Sequence, residues 1–275
     1  MFKIIISHYY SYIVMIHRRH RHKIFFWPTI FILTVSIILV VLSILKFEEY
    51  IEQKSIRKRI ITNISENSIY LNNLNNLINY KKIKIQGNFL HDKEMYLYTL
   101  PDEKTITNAA STRKYFLLTP FQTIDNRAII VVRGLLDARF KNPKSRTKTV
   151  QQFKEPITIT GITFPSSEQQ HISNLFDARY NIWFDIHLKK MGEFINQKLK
   201  KSFLVLASQT PIVKYDSNIL LKVSPENFFD TIYKKNHFTY FITYLVLAIS
   251  IIFIYITYYI QEKRANAKLL MEEKN

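Results

Sequence analysis

The chain has no cysteine and only four glycines among its 275 residues. Without cysteine it can form no disulfide, no thiolate copper or zinc centre, and no covalent heme attachment through a Cys-x-x-Cys-His motif. The glycines, at positions 87, 134, 161 and 192, are too isolated to form a phosphate-binding loop. Zinc-protease, nucleophile-elbow and EF-hand motifs are absent too. We therefore expect a protein that is not an enzyme.

Two stretches lack charged residues altogether, 22 residues at 24–45 and 23 residues at 238–260. Each is long enough to cross a hydrocarbon core of about 30 Å as a helix. The pattern predicts a membrane protein with two transmembrane α-helices. A cleaved signal peptide is the alternative for the first stretch, but that stretch exceeds the usual apolar length of about 7–15 residues and no small-residue cleavage site follows it.

Basic residues near the two apolar stretches predict the orientation. Arg18, Arg19 and Arg21 precede the first stretch and Lys263 and Arg264 follow the second, so the positive-inside rule places both termini in the cytoplasm. The expected organisation is a cytoplasmic tail at 1–23, transmembrane helices at 24–45 and 238–260, an extracytoplasmic domain at 46–237, and a cytoplasmic tail at 261–275.

The N-terminal 46 residues lack Asp and Glu, as organelle-targeting segments do. They are nevertheless apolar rather than rich in arginine and serine. We therefore expect a multi-pass protein of the bacterial cell inner membrane, with the mitochondrial inner membrane as the alternative.

Acidic residues are scarce, with 21 Asp and Glu against 39 Lys and Arg and a formal net charge of +18. The basic residues are scattered, and an exported domain would meet little nucleic acid. We expect membrane lipids as partners and no nucleic acid. The basic segment 139–156 is predicted to be a long exposed loop, with contact to anionic lipid or to a ligand carboxylate as the alternative.

Short β-branched and aromatic runs with polar breaks fill the central domain. They indicate an antiparallel sheet or barrel, so the fold class is a β-rich α+β extracytoplasmic domain flanked by two transmembrane helices. Helical spacing further predicts a stalk continuing from the first membrane helix, a short amphipathic helix containing Leu71, Leu74, Leu77 and Ile78, and another over 185–200. The strand candidates begin near residues 82, 94, 115, 127, 156, 203 and 218.

Most histidines are expected to have local roles. His91 follows a strand and suits a turn, His171 suits a loop, and His187 can cap or pair locally at the start of a helix. The cluster HRRHRH at 17–22 could bind a metal, but it also serves as the basic anchor of the first membrane helix.

His237 stands at the beginning of the second apolar stretch. Tyr240, Phe241, Tyr244 and Ala248 follow it at i+3, i+4, i+7 and i+11 and share its helix face. A neutral imidazole can ligate heme iron, and flat aromatic walls suit a porphyrin. The alternative is an interfacial histidine within an aromatic belt, hydrogen-bonded to a lipid headgroup or to the domain above.

Five sequence segments in order, together with the two-helix topology, resemble the Surfeit locus protein 1 family, whose members are assembly factors for cytochrome c oxidase. They span 83–191 and 236–244 of this chain. The segments are GNFLHDKE (87–94), YFLLTPF (115–121), IIVVRG (129–134), NIWFDIHLKKM (181–191) and NHFTY (236–240).

The resemblance implies a role in delivery or insertion of heme a into the large catalytic subunit of the oxidase. It implies transient heme a binding by His237, Tyr240 and Tyr244, with His237 as the iron ligand. Implied partners are the large oxidase subunit and other oxidase assembly or heme a synthesis factors. Arg133 would pair with a heme propionate or a buried carboxylate, and Trp183 would anchor the core or stack on porphyrin.

Two other functions stay open. The first is a membrane scaffold that stabilises an oxidase assembly intermediate without binding heme. The second is a two-helix membrane sensor, although only 15 residues follow the second apolar stretch and a sensor needs a cytoplasmic output module.

Overall fold

A computed structural model describes residues 2–72, 74–75, 77–99, 114–146, 156–166, 176–177, 179–211, 219–233 and 236–272, with side chains from Trp27 onward. The chain divides into two compact units, one formed by residues 1–53 and 235–275 and the other by residues 54–234. The helices are α1 (Phe2–Ser65), α2 (Leu188–Ile195), α3 (Pro225–Tyr233) and α4 (His237–Glu272). The strands are β1 (Ile69–Tyr70), β2 (Lys82–Phe89), β3 (Met95–Tyr98), β4 (Lys114–Thr123), β5 (Ala128–Asp137), β6 (Ile157–Pro165), β7 (Phe176–Asp177), β8 (Ile182–Trp183), β9 (Ser202–Thr210) and β10 (Leu220–Leu221).

The first unit pairs the initial part of α1 with α4. Both segments are apolar and long enough to cross a membrane. Large apolar side chains point outward along them, with Phe31 68% and Phe253 66% exposed. Water would not favour such a surface, whereas the hydrocarbon core of a membrane would. This arrangement confirms the expected pair of apolar helices.

Small polar residues line the contact between α1 and α4. Thr29, Ser36 and Ser43 recur every seven residues along α1. The Thr29 hydroxyl lies 2.6 Å from the Tyr255 hydroxyl, and Ser43 donates a 3.2 Å hydrogen bond to the carbonyl oxygen of Phe241. A repeat of seven keeps one face of a helix toward its partner, and small residues allow close backbone approach. These small polar residues therefore determine which faces of α1 and α4 contact each other.

The second unit is built on a closed five-stranded barrel. Its strands are ordered β2-β6-β9-β5-β4, and an additional pairing of β2 with β4 closes the ring. Neighbouring barrel strands are antiparallel except β5 and β9, which pair in parallel at Val131 and Leu204. Beyond the ring, β3, β8 and β7 extend from β4, while β1 joins β2 and β10 joins β5. The predicted β-rich domain is thus confirmed.

Side-chain alternation explains why these strands form two packed layers. On β5, Ile129 and Val131 join a cluster drawn from all five barrel strands, which fills the barrel interior. Ile130 and Val132 face the opposite side, where another cluster includes Ile60 of α1 and residues of α2 and α3. Because both faces are covered, β4 and β5 are nearly continuous apolar runs rather than alternating ones.

Several sequence-based boundaries needed correction. The predicted stalk is present, since α1 continues to Ser65, but the predicted helix around Leu74 is wrong. The described residues of that segment form turns and bends, and Leu74 is buried beside the barrel interior, so its apolar spacing reflects core packing. The helix predicted over 185–200 is confined to α2, and α3 was not predicted.

Candidate functional site

The first candidate site lies where α4 begins. His237 is only 8% exposed, and its Nδ1 lies 2.6 Å from Oε2 of Glu49 on α1. The two groups are within ion-pair distance, while Nδ1 makes no aligned hydrogen bond. Phe47 and Phe241 pack beside this pair with ring centroids 5.0 Å apart, as do Tyr50 and Phe238 at 5.1 Å. The imidazole therefore lies among aromatic side chains that contact each other between α1 and α4.

The two predicted aromatic partners of His237 lie farther along the same helix. Tyr240 and Tyr244 stack with centroids 6.5 Å apart and ring planes inclined by 24°. Tyr240 is 52% exposed and Tyr244 is partly buried. Their stack therefore offers a flat aromatic surface on an open flank of α4.

The face predicted to hold a porphyrin is divided in the structure. His237 and Phe241 turn toward α1, and Ala248, 1% exposed, is buried with them. Tyr240 lies outside this contact. Helical spacing brought these residues to one side of α4, but it could not show that α1 covers part of that side.

A second cluster lies in the barrel unit, where the charged or titratable side chains of His91, Arg133 and Arg146 surround Glu94. Glu94 Oε2 accepts a 2.6 Å bond from Arg146, and Oε1 lies 3.7 Å from Nη1 of Arg133. The side chains of these three residues are at most 4% exposed. His91 Nδ1 lies 3.3 Å from Arg133 and 3.5 Å from Glu94, and the Arg133 guanidinium lies 4.6 Å from the Phe89 ring centroid. The last contact has cation–π geometry.

A β-bulge brings Arg133 to this cluster. Leu117 of β4 pairs with Gly134 of β5, but the next residue, Leu118, pairs with Val132, which leaves Arg133 without an opposing residue. A bulge of this kind redirects the side chain of the additional residue. Arg133 is consequently buried although it follows a run of apolar residues. Of the two partners expected for Arg133, a heme propionate or a buried carboxylate, the structure shows the carboxylate of Glu94.

The electrostatics of Glu94 are those of a buried anion with strong partners. Burial by itself would raise the pKa of Glu94. Hydrogen bonds from His91 and Arg146, with the positive charges of Arg146 and Arg133, outweigh this effect and lower the pKa below its ordinary value of 4.5. Glu94 is therefore held ionised at neutral pH and organises the arginines around it.

Asn181 and Trp183 connect strand β8 to this cluster through hydrogen bonds. Asn181 donates a 2.7 Å bond from its side chain to the carbonyl oxygen of Glu94 and accepts a 3.1 Å bond from the Trp183 indole. Trp183 is 1% exposed and stacks on Phe176 at 4.1 Å. Trp183 is thus a core anchor. The prediction that segment 139–156 is an exposed loop is wrong at Arg146, because this side chain is buried against Glu94. Residues 147–155 of that segment lie outside the described ranges.

The remaining histidines have the local roles expected of them where they are described. His91 begins a short 3₁₀ turn, and His187 caps α2 by accepting a 3.3 Å bond from the Lys190 backbone. His171 and the side chains of 17–22 lie outside the described parts. Within those parts, no group of three His, Asp or Glu side chains is arranged to hold a metal ion.

A lysine-rich cleft beside α2 was not predicted from the sequence. Its volume is about 610 Å³. The basic side chains at its wall are His187, Lys189, Lys198, Lys200 and Lys201, and among the described residues that line it Glu193 is the acidic one. Such a cleft attracts anions. The run QKLKK at 197–201 was the available signal, but scattered lysines elsewhere concealed it.

Together, two apolar helices of membrane length and a small barrel with a buried charged centre define the class of this protein: two long apolar helices that flank a compact β-rich domain in the sequence. The sequence profile of the SURF1 family matches residues 48–249, and the chain belongs to that family. This is the Surfeit locus protein 1 family that the five sequence segments resemble. Membership implies a role in cytochrome oxidase assembly.

Individual relatives agree with this assignment. A SURF1-like protein of Rickettsia prowazekii (strain Madrid E) is 32% identical over 227 residues, covering 82% of this chain and 87% of the relative. A SURF1-like protein of Rickettsia conorii is 29% identical over 223 residues, covering 80% and 86%. A SURF1-like protein of Drosophila melanogaster is 30% identical over 110 residues, covering 35% and 37%.

Proposed function

We propose that this protein is a non-enzymatic assembly factor that aids heme a delivery or insertion into the large subunit of cytochrome c oxidase. It would act in the bacterial inner membrane with both termini in the cytoplasm. Its partners would be the large oxidase subunit and other factors of oxidase assembly or heme a synthesis. The observation that carries the heme part is the buried imidazole of His237 at the beginning of α4, one turn from the stacked rings of Tyr240 and Tyr244.

The residues of α4 fit a heme contact in two respects. His237 Nδ1 is buried and lies 2.6 Å from the Glu49 carboxylate, so Nε2 is the nitrogen left for a metal. Tyr240 and Tyr244 offer a stacked aromatic surface a turn away. His237 would hold the iron, and the tyrosines would contact the porphyrin. Bound heme a would supply the redox-active iron centre destined for the oxidase.

The chain itself would perform binding and release. One imidazole on a helix provides a single ligand, which favours exchange onto the ligands of an acceptor over permanent retention. The apolar helices would keep the site at the edge of the hydrocarbon core, where a porphyrin is shielded from water while its propionates reach the interface. The barrel domain would provide the docking body for the oxidase subunit.

Absorption spectroscopy tests the heme part. The full chain is co-produced with heme a synthesis enzymes and purified in detergent, alongside His237→Ala and, as a matched control, His187→Ala. His187 caps α2 on the barrel. We expect a Soret band in the wild type and in His187→Ala and its loss in His237→Ala. Equal absorbance in all three proteins, or none in the wild type, would contradict heme contact at His237.

A scaffold that binds no heme is the second candidate. The contact of His237 and Phe241 with α1 favours it, because an interhelical pair needs no ligand to account for its burial. A scaffold would co-purify with the oxidase subunit while carrying no heme, and His237→Ala would leave that co-purification unchanged. The same preparation therefore distinguishes the two functions.

A further inference from the structure

Glu49 lies beside the buried imidazole nitrogen of His237. The two residues come from different helices of the same compact unit, and Glu49 Oε2 lies 2.6 Å from His237 Nδ1. The imidazole is 9% exposed and the carboxylate 43%. Glu49 is therefore the more exposed member of this pair and the His237 imidazole is the buried one.

The second contact of Glu49 holds its carboxylate in place. Lys46, one turn earlier on α1, donates bonds of 2.9 and 2.8 Å to the two carboxylate oxygens. The ring contacts of Phe47 with Phe241 and of Tyr50 with Phe238 lie on either side. Lys46 therefore favours the side-chain position in which the Glu49 carboxylate lies next to Nδ1, and both residues of this ion pair belong to α1.

A carboxylate beside one nitrogen of an imidazole selects the tautomer. The Nδ1 proton is stabilised by the negative charge, and the lone pair is left on Nε2. In metal sites the same arrangement orients the ring and raises the basicity of the ligating nitrogen. Glu49 is thus placed to determine both which nitrogen of His237 is free and how strongly it binds.

We infer that Glu49 is a positioning residue that presents Nε2 of His237 as the ligand for heme iron. The inference rests on the proposed function of His237. Glu49 would not touch the heme; it would act through the imidazole. The adjacent residue, Glu48, is also a glutamate but is exposed, so it provides a matched comparison.

Two measurements on the full chain test this role. The first needs no heme: ¹⁵N-histidine spectra of the protein in lipid nanodiscs report the tautomer of His237. We expect the Nδ1–H form in the wild type and in Glu48→Ala, and a shift to the Nε2–H form in Glu49→Ala. Glu49→Gln, which keeps an acceptor but loses the charge, should give an intermediate result.

The second measurement is the rate at which the heme-loaded protein transfers heme to excess apomyoglobin. Loss of the partner of a metal-bound histidine weakens metal binding by about 10–100-fold, so we expect transfer to be at least about 10-fold faster in Glu49→Ala than in Glu48→Ala. We also expect a higher midpoint potential of the bound heme in Glu49→Ala, because the imidazole ligand becomes less basic.

The outcomes separate this inference from the proposed function. If the wild type holds heme but Glu49→Ala and Glu48→Ala give the same tautomer or the same transfer rate, the positioning role is refuted and heme contact at His237 stands. If the wild type holds no heme, both are refuted, and a tautomer shift in Glu49→Ala would then mark only an interhelical contact.

Discussion

Replacing Glu94 by Gln removes the one carboxylate among the cluster side chains, which also include Arg133 and Arg146. The arginine side chains are 1% and 2% exposed, so the variant leaves two guanidinium groups buried beside a neutral amide. Removing one partner of a buried ion pair costs about 3–5 kcal/mol. Because glutamine preserves the volume and one acceptor oxygen, we expect a loss of about 3 kcal/mol in the free energy of unfolding.

Urea unfolding of the chain in mild detergent measures this loss. Trp183 is the reporter, since it is buried and linked to the Glu94 backbone through Asn181. A Trp27→Phe background removes the indole on α1. The control is Glu66→Gln. Glu66 is 49% exposed and pairs with Lys81, which is 38% exposed, so this substitution should cost about 1 kcal/mol or less. Equal losses in the two variants would refute the reasoning.

The stability lost in Glu94→Gln, measured by the same urea unfolding, depends on pH in a defined way. The folded-state pKa of Glu94 is lowered. Its contribution to the free energy of unfolding is therefore fully present above the ordinary pKa of 4.5 and is lost as pH falls through the lowered pKa. The stability difference between wild type and Glu94→Gln should therefore be constant near neutral pH and shrink in acid. A difference that grew on acidification would contradict the ionised state of Glu94.

Three smaller predictions use the same urea assay. Gly134→Ala should cost about 1–3 kcal/mol, because an added Cβ would lie 2.5 Å from the carbonyl oxygen of Leu221, and an unchanged midpoint would count against the tight β5–β10 contact. His187→Ala should cost about 1 kcal/mol by removing the cap of α2, whereas His187→Asn, which also caps, should cost only a few tenths. Arg57→Ala should cost about 1 kcal/mol or less despite its two carboxylate partners, since its side chain is 43% exposed, and a loss as large as that of Glu94→Gln would overturn this ranking.

The fold was predictable where local patterns and global packing agree. Uncharged runs gave the two apolar helices, and β-branched runs gave the barrel strands from β2 to β9. The helix prediction around Leu74 was wrong because the leucine spacing matches a helix, whereas Leu71, Leu74 and Leu77 pack with the barrel-interior cluster. Short α3 was missed because its aromatic residues, such as Phe228, also suit a strand.

The candidate site was predictable only in part, since spacing along one helix cannot show what another helix contributes. His237, Tyr240 and Tyr244 were proposed from their spacing on α4, but Glu49 lies 188 positions earlier in the chain than His237. Likewise, Arg146 occurs in a basic segment that favours an exposed loop, and its burial depends on Glu94, 52 residues away. Long-range ion pairs leave no local periodicity in a sequence.

Heme a content of the oxidase tests the central claim most directly. A bacterium whose own SURF1-family gene is deleted would carry this chain as wild type, His237→Ala or His187→Ala, and heme a would be measured per purified large subunit of the oxidase. The account predicts restored heme a with the wild type and His187→Ala and a marked deficit with His237→Ala, at equal protein levels. Full heme a content with His237→Ala would contradict it.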